Sequence, residues 1–127
     1  MKKLILLTIL VSLFSCTDND DNNITNNQIQ IRVSNNSQYN YENVIIHTTS
    51  GEIAYNNIAS NQVSNYNTFS VIDSDSFVEF TINGNNFSMS FYNDDTTNLS
   101  NGLYTLKISA IGTPTEVNAI FGNLLTD

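Results

Sequence analysis

The sequence predicts an all-β fold, a single β-sandwich of seven to eight mostly antiparallel strands over residues 29–127. Three observations carry that prediction. Apolar and polar residues alternate with a period of two through much of the segment, and no window shows the 3.6-residue period of a helix. Turn-forming residues recur about every ten positions, the spacing of short sandwich strands. Asn83-Gly84 lies between two alternating runs, the strongest short-range hairpin signal, because both residues tolerate positive φ. The pattern does not separate an immunoglobulin-like from a transthyretin-like topology.

The elements follow in order. Ile29, Ile31 and Val33 alternate with Gln30, Arg32 and Ser34, giving a half-buried first strand that ends at the turn Asn35-Asn36-Ser37. Asn43 to Thr48 forms a second strand, and Ser50-Gly51 turns the chain into a short third one from Glu52 to Tyr55. Val63 to Ile72 is apolar but irregularly spaced, so it contains a strand of undefined limits. With Asn83-Gly84 as the central turn residues, Ile82 pairs with Asn85, Phe80 with Phe87, and Val78 with Met89. That register places Val78, Phe80, Ile82, Phe87, Met89 and Phe91 on one face, whereas a one-residue slip would mix the faces. Leu103 to Ile111 turns Tyr104, Leu106, Ile108 and Ala110 inward. After the turn at Gly112-Thr113-Pro114-Thr115, Glu116 to Phe121 is expected to bury Val117, Ala119 and Phe121.

Residues 1–28 read differently. Lys2 and Lys3 precede an apolar run from Leu4 to Phe14, followed by Ser15 and the only cysteine, Cys16. About eleven apolar positions are too few to span a hydrocarbon core, which takes roughly twenty. The order of charge, apolar run and small residue is that of an export signal, residues 1–15. Residues 16–28 (CTDNDDNNITNNQ) are too polar to offset the entropy of ordering and are expected to form a disordered acidic tether. Asp18, Asp20 and Asn22 have the spacing of a calcium loop. The loop's required Gly and Glu positions hold Asn23 and Ile29, so the match fails.

Leu13-Phe14-Ser15-Cys16 resembles the lipobox of a bacterial lipoprotein signal. That resemblance implies cleavage before Cys16 and a thioether-linked diacylglycerol on it. The implied location is the outer membrane, on its periplasmic face or at the cell surface. The acidic run after Cys16 resembles the surface-export tag of Bacteroidota-type lipoproteins. The domain also looks like small envelope lipoproteins of that kind through Ile29-x-Ile31-x-Val33-x-Asn35, Asn43-Val44, Ser64-Asn65-Tyr66, Ile82-Asn83-Gly84 and Gly102-Leu103-Tyr104-Thr105. It implies a sandwich and an address, without a mechanism.

Composition narrows the chemistry. Without Lys2 and Lys3, only Arg32 and Lys107 stand against twelve acids, a balance of −10. Binding a nucleic-acid backbone requires Lys and Arg to neutralise phosphates, so nucleic acid is not an expected partner. The expected partners are the membrane, through Cys16, and a glycan or protein ligand. No cofactor is expected. His47, the one histidine, alternates with Ile46 as a strand-face residue, and no glycines frame a nucleophilic serine as G-x-S-x-G.

Two sets of residues are candidates for a site. Tyr39, Tyr41, Tyr55 and Tyr66 lie in or near turns, where exposed rings stack on sugars or anchor a protein, or else bury their rings at the sandwich edge. Asp73 with Asp75, and Asp94 with Asp95, lie in loops and are weak candidates for Ca²⁺. Asp95-Thr96-Thr97 resembles a short bacterial O-glycosylation site. The sequence therefore favours a non-catalytic, lipid-anchored binding or spacer module. The alternative is a small glycan-processing hydrolase or accessory protein using the loop carboxylates.

Overall fold

The computed structural model describes residues 27–127. The signal segment 1–15, Cys16 and the tether through residue 26 lie outside the described residues. Eight strands follow one another: β1 (Ile29–Asn35), β2 (Tyr41–Thr48), β3 (Gly51–Ile58), β4 (Asn67–Phe69), β5 (Phe77–Ile82), β6 (Asn85–Ser90), β7 (Gly102–Thr113) and β8 (Glu116–Thr126). They form two four-stranded sheets, β4-β1-β7-β8 and β3-β2-β5-β6. The chain is an all-β sandwich. Every strand pair is antiparallel except β1 with β7, which run parallel from Ile29↔Gly102 to Asn35↔Ile108.

The alternation read from the sequence sets the core. Ile29, Ile31 and Val33 of β1 and Leu106 and Ile108 of β7 face Val44, Ile46, Val78, Phe80 and Ile82 of the other sheet, all buried. The Tyr41 and Phe80 rings meet at the centre, 4.8 Å between centroids. The β5–β6 hairpin has the expected register, Ile82↔Asn85, Phe80↔Phe87 and Val78↔Met89. Its turn residues Asn83 and Gly84 take φ of 51° and 81°, the geometry that suits a two-residue loop between right-twisted strands.

The expectation fails in three places. β2 and β3 are each longer than the alternation indicated, because Asn43 and Asn56 adopt positive φ and the β2–β3 register shifts twice between Tyr41 and Ile45. These bulges break the period without ending the strands. Of the stretch Val63 to Ile72, only Asn67–Phe69 is a strand. Val63 makes a single bridge to Ser34 and is largely exposed, while Phe69 and Ile72 supply the buried residues.

The third departure is a correction. Phe121 does not point inward; it is 57 % exposed. Ile111 pairs with Ala119 but Gly112 pairs with Val117, so Asn118 is an extra residue in β8. One inserted residue inverts a period-two pattern, and beyond it Ile120 and Leu124 pack on the core while Phe121 and Leu125 face outward.

Candidate functional site

Three of the four candidate tyrosines are structural fasteners. Tyr41 lies on β2, and its hydroxyl donates across the sandwich to the Ile108 carbonyl of β7 at 3.0 Å. From β3, Tyr55 donates to the Ile31 carbonyl of β1 at 2.6 Å. Tyr39, just before β2, reaches the β7–β8 turn and donates to the carbonyls of Thr113 (2.5 Å) and Glu116 (3.2 Å). All three rings are buried. Burial disfavours the phenolate and pushes the Tyr41 and Tyr55 hydroxyls above the usual tyrosine range.

Tyr66 alone of the four keeps a part-exposed ring. The Arg32 guanidinium lies 5.0 Å from its centroid, and its hydroxyl donates to the Asp127 carboxylate. Thr105 donates to the same carboxylate at 2.7 Å, and Arg32 Nε lies 3.6 Å from it. Arg32 and Lys107, the two cations among the described residues, alternate with buried neighbours and so share the outer face of the β4-β1-β7-β8 sheet.

The acidic pairs are held locally. Asp73 Oδ1 accepts from the Asp75 N–H and the Ser76 hydroxyl, each at 3.1 Å, and Oδ2 accepts from Thr49 at 3.0 Å. Asp94 accepts from the hydroxyls of Thr97 and Thr96, both 2.7 Å, and from the Thr96 N–H at 2.9 Å. Those donors favour the carboxylate and draw Asp94 down to about 2. Asp95 is exposed beside it. Among the described residues, no three His, Cys, Asp or Glu side chains come together in an arrangement able to hold a metal ion.

His47 lies on the outer face of the β3-β2-β5-β6 sheet. It stacks on Phe77 at 4.5 Å, with Glu52 3.2 Å from Nδ1 and Glu79 3.7 Å from Nε2. The two carboxylates approach opposite nitrogens of one ring. That arrangement orients the imidazole and does not converge on a shared point.

A concavity lies elsewhere, along the open side of the sandwich between the edge of β3 and the segment 59–67. It is a groove of about 560 Å³. Asn56, Asn57, Gln62, Asn65 and Asn67 line it together with Tyr55 and Ser64, and Ala54, Ile58, Ala59 and Val63 are its apolar residues. No charged residue lines it, in a chain with twelve acids. The segment is tied down on β1: Asn35 N–H donates to the Gln62 carbonyl at 2.9 Å, and Ser64 Oγ accepts from the Val33 N–H at 2.8 Å. The buried Asn35 amide anchors the far end by donating to the carbonyls of Tyr39 and Ile58. Tyr55, one of the four candidate tyrosines, also lines the groove, whereas Asn56, Asn57, Gln62 and Asn65 are not among the site candidates read from the sequence. Their signal was the cluster Asn56-Asn57 with Asn61-Gln62-x-Ser64-Asn65, submerged in a chain rich in asparagine throughout.

The fold and sites define an all-β sandwich held closed by tyrosines, with a neutral groove at one edge. No family model matches the chain, and no curated protein matches it. A solved structure similar in fold is an NMR structure of a protein from Eubacterium rectale, with a TM-score of 0.54 and 16 % identity, covering 79 % of this chain and 88 % of that one. At that identity the likeness is one of fold.

Proposed function

We propose that this chain is a lipid-anchored cell-envelope protein of the outer membrane, whose β-sandwich is a non-catalytic binding module held off the membrane by an acidic tether. The anchor rests on Leu13-Phe14-Ser15-Cys16 and its resemblance to a lipobox. The binding role rests on one observation: a groove of about 560 Å³ is lined by uncharged residues, five of them Asn or Gln, on a segment hydrogen-bonded to β1. Such groups hold a ligand by hydrogen bonds and contact, and the two hydroxyls of the lining are already engaged, Tyr55 donating to the Ile31 carbonyl and Ser64 donating to the Asn65 carbonyl while accepting from the Val33 N–H. In the same direction, the Asp94 carboxylate is occupied by donors of its own loop, and the Asp73 carboxylate by its own loop and Thr49.

The anchor is tested by Cys16→Ala in the full chain. The substitution should move the protein from the membrane fraction to the soluble one, and an unchanged partition would refute the anchoring. The binding role is tested by incubating the protein with oligosaccharides and following their length. New reducing ends that depend on Asp73 or Asp94 would replace the binding reading with a hydrolytic one.

A further inference from the structure

We propose that the groove between β3 and the segment 59–67 takes a neutral oligosaccharide. The amides of Asn56, Gln62 and Asn65 would bond its hydroxyls, and Val63 would lie against a C–H face of a sugar ring. The inference rests on the binding-module reading and names its ligand class.

Charge comes first. With no ionised side chain in the lining, the groove has nothing to pair with an anionic or cationic ligand, and a charged ligand would lose hydration there without compensation. Hydrogen bonding comes next. The side-chain amides of Asn56, Gln62 and Asn65 have no hydrogen-bond partner among the described residues, whereas the Asn57 amide oxygen accepts from the Asn43 N–H at 3.1 Å. Each primary amide offers two donors and a two-lone-pair acceptor side by side, which matches adjacent hydroxyls that both donate and accept. Val63, 51 % exposed, and Ala54 and Ala59 give the apolar contact that the C–H side of a pyranose needs.

Shape separates a saccharide from an extended peptide. A peptide would add to the free edge of β3 and require an unbroken row of backbone groups. At the groove that row is interrupted. Asn56 has a φ of 60°, and the pairing with β2 shifts register on both sides of Val44, the partner of Asn56. Bulged edges are the usual means by which a sheet refuses another strand.

The test titrates the purified full-length protein with neutral hexasaccharides of the gluco, manno, xylo and galacto series, with hexagalacturonate and with an uncharged unstructured peptide. The expected result is saturable binding of at least one neutral hexasaccharide, insensitive to added salt. The Gln62→Ala, Asn65→Ala double variant should weaken it by about tenfold or more, a loss of about 1.4 kcal/mol. Asn56→Gly, which keeps the positive φ while removing the amide, should weaken it too, with an unchanged melting temperature in the double variant as the folding control. Absence of neutral binding, preference for hexagalacturonate, or binding indifferent to the double variant overturns the inference. Peptide binding lost in the double variant also overturns it and leaves the binding-module reading standing. Shortening of a hexasaccharide by the protein removes the binding-module reading itself.

Discussion

The Tyr55 hydroxyl on β3 donates to the Ile31 carbonyl on β1, one edge of the sandwich bonded to the centre of the opposite sheet. Tyr41 makes the equivalent bond to Ile108 on β7. Both carbonyls belong to strands paired in parallel. Removing either hydroxyl leaves the ring in place and a buried bond unmade. Tyr55→Phe and Tyr41→Phe should each lower unfolding free energy by about 1 kcal/mol, with Tyr55→Ala costing about 3–5 kcal/mol through the cavity it leaves. Denaturant titration monitored by circular dichroism measures both, and a Phe variant as stable as the parent would remove the fastener role.

The same two groups predict alkaline sensitivity. Their folded-state values are raised, so the folded protein keeps these protons while the unfolded chain releases them above about pH 10. The stabilisation is complete below that pH and falls as pH rises through and beyond it. Denaturation midpoints measured across the alkaline range should therefore decline. The Tyr41→Phe, Tyr55→Phe double variant should show a flatter decline, and an identical slope in the two proteins would exclude these hydroxyls as its source.

Two glycines should respond differently to alanine. A Cβ on Gly112 would run into the Glu116 carbonyl and come within 2.8 Å of the Tyr39 hydroxyl, and backbone cannot yield easily. On Gly122 the obstacle is the thioether end of Met89, which is flexible. Gly112→Ala is expected to cost about 2–3 kcal/mol and Gly122→Ala about 1 kcal/mol or less. Thermal melts of the pair give the ranking, and the reverse order would mean that Met89 is locked.

The Asp94 carboxyl should titrate near 2, low because Thr97 and Thr96 donate to its ionised form. A depressed value means that these bonds act above the ordinary carboxylate range and are lost as pH falls through the folded value. Carboxyl-carbon NMR titration of the parent and of Thr97→Val checks this, since the variant should titrate higher. An unmoved midpoint would mean that Thr97 contributes nothing to it.

The fold was legible wherever a strand kept its period. The β5–β6 register followed from Asn83-Gly84 and six apolar residues, because a one-residue slip is costly and the turn residues admit one geometry. Legibility failed at inserted residues. Asn118 turned Phe121 outward, and Asn43 and Asn56 carried β2 and β3 past the limits that alternation suggested. Bulges leave a weak trace in sequence because the extra residue is often an ordinary polar one. Among the described residues, the four non-glycine positions at positive φ are all asparagine (Asn43, Asn56, Asn61 and Asn83), so part of the asparagine content has a conformational use. The groove was illegible for a related reason. Its lining comes from both sides of an irregular loop, and only the packing of that loop on β1 brings Asn56 near Gln62 and Asn65.

The parallel pairing of β1 with β7 carries a consequence for how the domain comes into being. Arg32 and Thr105 are bonded neighbours although 73 positions apart in sequence, and β1 lies inside its sheet with β4 on its other side. The first of these strands to emerge from a ribosome must therefore wait for nearly the last before its sheet can close. Non-local pairing of this kind delays folding until the loop between the partners is complete. A chain with this wiring commits to its final shape late, and almost all at once.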